Sequence, residues 1–373
     1  MKTSIARNIP FFDYPRLYQD NKESLLKIFN EVSSRGSFIL QEDLRNFEAN
    51  LANFSNTNFA VGVGNATDAL QIALKIGGIR PGDEVIISTH TMIATAGAII
   101  HAGAVPVPVD IGEDHLIDYD LIEKNINSKT AAIMPTQLNG RTCNMDKIKD
   151  IADRYNLKVF EDSAQGLGSK FKGTNAGTFG IASAISFYPA KNLGCLGDGG
   201  AILINDKDLY DVAISYRDHG RDPNTGDVIS WGINSRLDNM QAAFLDYFLQ
   251  NYHNVINRRR SIADTYYECL NNVDEVKLPP IPKNSTEHFD VFQNFEIRAF
   301  ERDKLKNYLY ENGIGTLIQW SGKAIHHHKN LGFNQDLIKA DQFFDQILMI
   351  PMNMFISDDD VYYICDVIKN FYK

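Results

Sequence analysis

The chain reads as an α/β protein with two parts. A large domain carries a mostly parallel mixed sheet flanked by helices, and a smaller C-terminal α+β domain follows. Three observations predict this. Short apolar runs of strand length recur between Val61 and Ile204 and alternate with stretches of helical periodicity, as βα units covering both faces of a sheet do. At 373 residues the chain exceeds what one hydrophobic core usually supports, so a division into residues 1–250 and 251–373 is expected. The hydrophobic fraction of 44% and charged fraction of 23% are those of an ordinary soluble globular protein.

Taken in order, the N-terminal segment holds amphipathic helices over Asn21–Val32 and Asp43–Phe54, with a break at Gly36-Ser-Phe-Ile. Residues 60–63 form a short strand, which Gly64-Asn-Ala-Thr-Asp68 turns into a helix over Ala69–Ile76. After the Pro81-Gly-Asp turn come strand Glu84–Ser88, helix Ala94–His101, strand Val105–Asp110, a helix near Tyr119–Ile126 and strand Ala131–Pro135. A helix over Asp146–Tyr155 precedes strands at Leu157–Glu161, Ala184–Phe187 and Ala201–Ile204. Asp238–Leu270 reads as one or two long helices, and Leu278-Pro-Pro-Ile-Pro-Lys as a linker or rigid turn. The small domain is expected to hold strand His288–Ala299, helix Asp303–Asn312, strands Gly315–Gln319 and Ile347–Ile350, and helix Asp360–Phe371.

Several function classes are excluded early. A net charge of −10 lacks the surplus of Lys and Arg that neutralising nucleic-acid phosphates requires. The four cysteines are scattered without a C-x-x-C pair, so reduced thiols in a cytoplasmic protein are expected. The N-terminus has no apolar leader, and the most apolar run, Met92–Ile111, is broken by His101, Pro106 and Pro108, so no membrane span is expected. No metal is expected either: the three histidines at 326–328 are read as pointing in different directions, with no H-x-x-x-H or cysteine pair beside them. The G-x-G-x-x-G, Walker and G-x-S-x-G patterns are absent.

The chemistry is concentrated in two stretches. Lys158-Val-Phe-Glu-Asp-Ser-Ala-Gln165 is a buried strand ending in a carboxylate, Asp162, and ligands bind at the carboxyl ends of strands in such sheets. Ser186-Phe-Tyr-Pro-Ala-Lys191-Asn-Leu places a lysine on a tight turn among small and apolar residues, ahead of the glycine-rich Gly194–Gly200. Imine formation needs the neutral amine, which is only about one lysine in a few thousand at pH 7, so an active lysine belongs in a closed pocket that lowers its pKa. Asp162 would pair with a ring nitrogen and Lys191 with a carbonyl, the demands of pyridoxal phosphate. Gly64-Asn-Ala-Thr-Asp68 offers free N–H groups at a helix start, either to an anion or as a plain cap, and Asp162 itself reads equally as a helix cap.

With these motifs, and with Gly197-Asp-Gly-Gly200, Asn234-Ser-Arg-Leu-Asp-Asn-Met-Gln-Ala-Ala243 and Gly313-Ile-Gly-Thr316, the chain resembles the DegT/DnrJ/EryC1/StrS family of pyridoxal-phosphate sugar aminotransferases, of fold type I, from about residue 8 onward. The resemblance implies that Lys191 holds pyridoxal 5′-phosphate as an imine and then shuttles a proton, with pyridoxamine 5′-phosphate formed on the way. It implies Asp162 at the ring nitrogen, Gln165 over the ring or at its hydroxyl, and Ala66, Thr67 and Ser186 at the phosphate. Asn234 would reach the phosphate of the other subunit, giving a homodimer with shared sites. Met92 stands where members commonly stack an aromatic residue, and Gln319-Trp-Ser-Gly replaces their usual His-Tyr-Pro. His326, Gln319 and Trp320 fall where the family contacts the sugar. Arg217, His219, Arg221 and Lys323 are candidates for the substrate diphosphate on electrostatic grounds.

The expected activity is transfer of an amino group from an amino acid, L-glutamate by analogy, to C3 or C4 of a nucleotide-linked keto-deoxysugar, feeding amino-sugar or surface-glycan synthesis. The alternatives are a dehydratase using the same cofactor, whose family members have histidine at the lysine position that this chain keeps as Lys191, and a non-catalytic cofactor or sugar sensor.

Overall fold

The computed structural model describes residues 7–281 and 286–373, so the proline-rich stretch from Leu278 lies partly outside the described residues. Two helices come first. Helix α1 (Tyr14–Arg35) starts earlier than its apolar spacing suggested because Asp13 caps it, accepting from the Arg16 N–H at 3.1 Å, and it ends where Gly36 takes a left-handed φ of 63°. Helix α2 (Glu42–Ser55) follows.

The βα run is β1 (Phe59–Val63), α3 (Ala66–Ile76), β2 (Glu84–Ser88), α4 (Ile93–His101), β3 (Val105–Val109), the short α5 (Tyr119–Ile122), β4 (Thr130–Met134), α6 (Met145–Tyr155) and β5 (Lys158–Asp162). After it come the two-residue strands β6 (Lys170–Phe171) and β7 (Thr174–Asn175), then β8 (Ala182–Ser186), β9 (Gly200–Ile204) and α7 (Lys207–Tyr216), a helix missing from the sequence reading. The long helical stretch breaks at Asn251 into α8 (Asn239–Gln250) and α9 (Tyr252–Leu270). The remainder is β10 (Val276–Lys277), β11 (His288–Phe289), β12 (Phe295–Ala299), α10 (Arg302–Glu311), α11 (Ile338–Phe344), β13 (Ile347–Ile350) and α12 (Asp358–Phe371).

Seven strands form the large sheet in the order β1-β9-β8-β5-β4-β2-β3. The pairs β3/β2, β2/β4, β4/β5 and β5/β8 are parallel, whereas β9 runs antiparallel to both β8 and β1. A parallel strand is covered on both faces, which is why these segments read as continuous apolar runs. One apolar cluster joins α3, α4 and the sheet through residues such as Leu70, Leu74, Val85 and Phe160. A second packs α2 and α8 on β8 and β9 through Phe47, Leu51, Phe187 and Leu245. Each fully buried apolar side chain of this kind contributes about 1.5–3 kcal/mol.

The C-terminal sheet, β10-β12-β13, is antiparallel and has its own core with α9, α10 and α12. That core also takes in Ile9, whose N–H donates to the Gly313 carbonyl at 2.8 Å, while Tyr252 and Ile256 at the start of α9 belong to a core packed on the large sheet. Two expected strands differ. His288–Ala299 is not one strand: β11 pairs with β6, β12 pairs with β10 and β13, and the loop 290–294 between them turns toward the large sheet. Gly315–Gln319 is not a strand either. Leu317 makes a single bridge to Met349, and the chain then tightens into a turn at Gln319–Gly322 with Trp320 and Ser321 at φ 47° and 58°.

Candidate active site

The carboxyl ends of β5 and β8 open into a cavity of about 710 Å³, walled also by the start of α3 and by the 317–320 turn. Asp162 ends β5 and is only 4% exposed. Its neighbour Glu161 points to the opposite face, where the Gln137 amide and the N–H groups of Gly177, Phe179 and Gly180 all donate to it at 2.7–3.0 Å. Pinning Glu161 fixes which way Asp162 faces. Burial raises the Asp162 pKa, and this is offset in part by the Thr95 hydroxyl (2.6 Å), the Ala164 N–H (3.1 Å) and the charge of Lys191.

Lys191 sits on a turn closed by its own N–H to the Tyr188 carbonyl at 2.8 Å. Gln293, which the sequence reading missed, clamps this turn from both sides. Its amide oxygen accepts from the Asn192 N–H and its amide nitrogen donates to the Ala190 carbonyl, both at 2.8 Å. Arg259 in turn donates to the carbonyls of Phe292 and Gln293, at 2.9 and 3.0 Å. Reading residues 288–299 as one strand hid the clamp, because such a strand would not bend to the lysine. Burial pulls the Lys191 amine down to about 8, against the opposing attraction of Asp162. Roughly one amine in ten is then neutral at pH 7.

At the start of α3 the Asn65 side chain accepts from the Asp68 N–H at 2.9 Å and its carbonyl from the Ala69 N–H. The N–H groups of Ala66 and Thr67 have no acceptor within the helix and line the cavity. Strand β9 crosses directly behind them. A β-carbon on Gly200 would lie 2.5 Å from the Asn65 carbonyl carbon and 2.7 Å from the Ala66 nitrogen, so only glycine permits this approach. Ser186, Gln165, Met92, Gln319 and Trp320 also line the cavity. The Gln165 oxygen accepts from the Asn139 N–H at 2.8 Å, which leaves its NH₂ group for a ligand. Gln319 is 4% exposed, and neither of its amide atoms is hydrogen-bonded among the described residues.

Other predicted residues lie elsewhere. Arg217 is 6% exposed and is spent inside the fold: it pairs with Glu48 and donates to the Gly62 carbonyl at 2.8 Å, so it is not a diphosphate ligand. His326 is 1% exposed and stands behind the wall rather than in it, with its ring nitrogens 2.7 Å from the Thr89 hydroxyl and 2.9 Å from Asp341. His326 and His327 converge on Asp341 instead of diverging, and the three place ligand atoms within 4.8 Å of one another. The Nδ1 of His327 accepts from the Ala324 N–H, so its Nε2 carries the proton given to Asp341 and has no lone pair for a metal. Lys323, His219, Arg221 and Asn234 are exposed and lie outside the cavity of their own chain.

A ligand suited to these walls is anionic at one end, carries a ring nitrogen that pairs with a buried carboxylate, and presents an aldehyde to an amine. Pyridoxal phosphate has all three features, and it would supply the cation that buried Asp162 calls for. The chain is of the class that carries this cofactor on a mostly parallel α/β sheet, fold type I. It belongs to the DegT/DnrJ/EryC1/StrS aminotransferase family, whose profile matches residues 19–369. It is 36% identical to a pleiotropic regulatory protein of Geobacillus stearothermophilus, covering 98% of this chain and 99% of that one. It is 34% identical to the dTDP-3-amino-3,4,6-trideoxy-alpha-D-glucose transaminase of Streptomyces venezuelae, covering 97% and 95%. Among solved structures, S. venezuelae DesV in complex with a ketimine intermediate superposes with a TM-score of 0.94 at 34% identity, covering 98% and 99%. NtdA of Bacillus subtilis with bound cofactor PMP gives 0.87 at 29%, covering 99% and 87%. The protein is a pyridoxal-phosphate-dependent aminotransferase.

Proposed function

We propose that the protein moves an amino group from L-glutamate to the C3 or C4 keto carbon of a nucleotide-linked deoxysugar, as a cytoplasmic homodimer supplying amino sugars for glycans. The observation that carries this reading is the partly neutral Lys191 amine facing the same cavity as Asp162, in a chain so similar to a transaminase named for a dTDP-linked 3-amino sugar. The chemistry that the cofactor supplies when bound is a ring able to take up the electron pair released at the donor's α-carbon.

The protein's own groups do the rest. The Asp162 carboxylate would pair with the ring nitrogen and keep the proton on it. The Gln165 NH₂ group faces the ring hydroxyl. The N–H groups of Ala66 and Thr67, with the Ser186 hydroxyl, bind the phosphate, and the start of α3 adds about 0.3–1 kcal/mol for a negative charge. Lys191 takes the proton from the donor's α-carbon and returns it at the carbon that carried the aldehyde, as base and then acid. Its pKa of about 8 suits both roles near neutral pH. Met92, whose sulfur accepts from the Ala94 N–H at 3.0 Å at the start of α4, would lie against the ring face from the cavity wall. Gln319, with its unpaired amide, and Trp320 meet the sugar. Asn234, which lies outside its own chain's cavity, would reach the phosphate of the partner's site.

The test is the visible spectrum of the purified protein before and after L-glutamate. A yellow band that bleaches with glutamate, is absent in Lys191→Ala and returns with a nucleotide-linked keto-sugar is the expected result. A protein that stays colourless with added pyridoxal phosphate overturns the proposal. The relative named as a regulatory protein keeps a sensor reading in play, and a coloured protein without turnover on any amino donor would favour it.

A further inference from the structure

The Asp162 carboxylate is the end of a line of buried hydroxyls. The Thr136 hydroxyl lies 2.8 Å from that of Thr91, Thr91 lies 2.7 Å from Thr95, and Thr95 lies 2.6 Å from Asp162 Oδ2. All three threonines are at most 4% exposed, so water does not compete for these bonds. They come from two regions of the chain: Thr91 and Thr95 lie at the start of α4, and Thr136 follows β4.

The chemistry of the end group fixes the direction of the whole line. An ionised carboxylate only accepts, so Thr95 must donate to it. A hydroxyl has one proton, so Thr95 must accept from Thr91, and Thr91 in turn from Thr136. Each donation polarises the next, and in a water-free interior such a chain strengthens its last bond. The backbone holds the other end in place. The Asp162 N–H donates to the Pro135 carbonyl at 3.0 Å and the Gln137 N–H to the Asp162 carbonyl at 2.8 Å, so Thr136 cannot drift from the carboxylate it serves. Among the described residues, the second carboxylate oxygen accepts only the longer bond from the Ala164 N–H, at 3.1 Å.

The geometry points to Thr95, backed by Thr91 and Thr136, as a positioning residue that holds the Asp162 carboxylate charged and aimed at the cofactor's ring nitrogen. This rests on the aminotransferase reading above. A carboxylate that receives a strong donor is a weaker base, so the proton it shares with the ring nitrogen stays on the ring. Without that donor the proton moves toward Asp162, the ring loses cationic character, and it takes up the donor's electron pair less well. The line therefore acts on the reaction through Asp162, with no contact to substrate.

The test uses holoenzyme loaded with pyridoxal phosphate carrying ¹⁵N in the ring, read by NMR at fixed pH, alongside steady-state kinetics with glutamate. Thr95→Val keeps the shape and removes the hydroxyl. The ring-nitrogen signal should move from the protonated toward the neutral position, and kcat should fall at least about tenfold, with KM for glutamate changed less than about threefold. Thr95→Ser restores the donor and should restore both readouts. Thr91→Val does not touch Asp162 and should give a smaller shift in the same direction, which also covers the case in which Thr95→Val does not fold. An unmoved ring-nitrogen signal in both valine variants overturns the inference, as does a Thr95→Ser enzyme as impaired as Thr95→Val. In either case an active wild type leaves the aminotransferase reading standing. A wild-type protein that does not bind the cofactor overturns both.

Discussion

Capture of pyridoxal phosphate by the cofactor-free protein should follow the neutral fraction of Lys191. Burial holds that amine at about 8, against about 10.4 for a solvated lysine. At pH 7 the neutral fraction is then roughly one in ten instead of roughly one in 2,500, a gain of about 200-fold in reactive amine. Stopped-flow absorption of the developing yellow colour should give a rate that climbs with pH and levels off above about 8. The Asp162 charge opposes the effect of burial, so Asp162→Asn should move the midpoint further down. A wild-type rate still climbing near pH 10, or an Asp162→Asn midpoint above that of wild type, would refute the claim that burial sets the reactivity of this amine.

The same shift has a stability counterpart with a definite sign. Because the folded pKa lies below the unfolded one, keeping the amine charged penalises the folded state fully below about pH 8, and the penalty vanishes as pH rises through the unfolded value. Cofactor-free Lys191→Met should accordingly resist denaturant better than wild type at pH 7, by up to about 3 kcal/mol, a figure that already includes the attraction to Asp162, and the two should converge above about pH 10.5. Equal or lower stability of the variant at pH 7 would count against it. Arg217→Met strands the largely buried Glu48 carboxylate and should cost about 3–5 kcal/mol in denaturant unfolding while leaving KM for a nucleotide sugar unchanged in the surviving fold. A selective rise in KM would return Arg217 to the substrate site. Gly200→Ala drives a β-carbon into the Asn65–Ala66 backbone and should weaken cofactor affinity at least about tenfold with little loss of helix content by circular dichroism. Unchanged affinity would mean that the start of α3 does not hold the phosphate.

The sequence by itself determined the large sheet, Asp162 and Lys191, because each is written in contiguous residues. A strand covered on both faces reads as a short apolar run, as Val85-Ile-Ile87 in β2 and Ala201-Ile-Leu-Ile204 in β9 do. A carboxylate at a strand end and a lysine among small residues need no distant information to be noticed. What the tertiary structure decided is where long-range polar groups spend their hydrogen bonds. Arg217 looked like a free cation until Glu48, 169 residues away, was found beside it. His326 looked like a sugar contact until Thr89 and Asp341 took both ring nitrogens. Gln293 gave no signal at all, since its role exists only because the loop 290–294 folds back onto the turn that carries Lys191. Apolar periodicity follows from burial of neighbouring residues and is therefore local. A polar side chain is committed by whichever partner lies within 3 Å, and that partner is chosen by the packing of elements far apart in the chain.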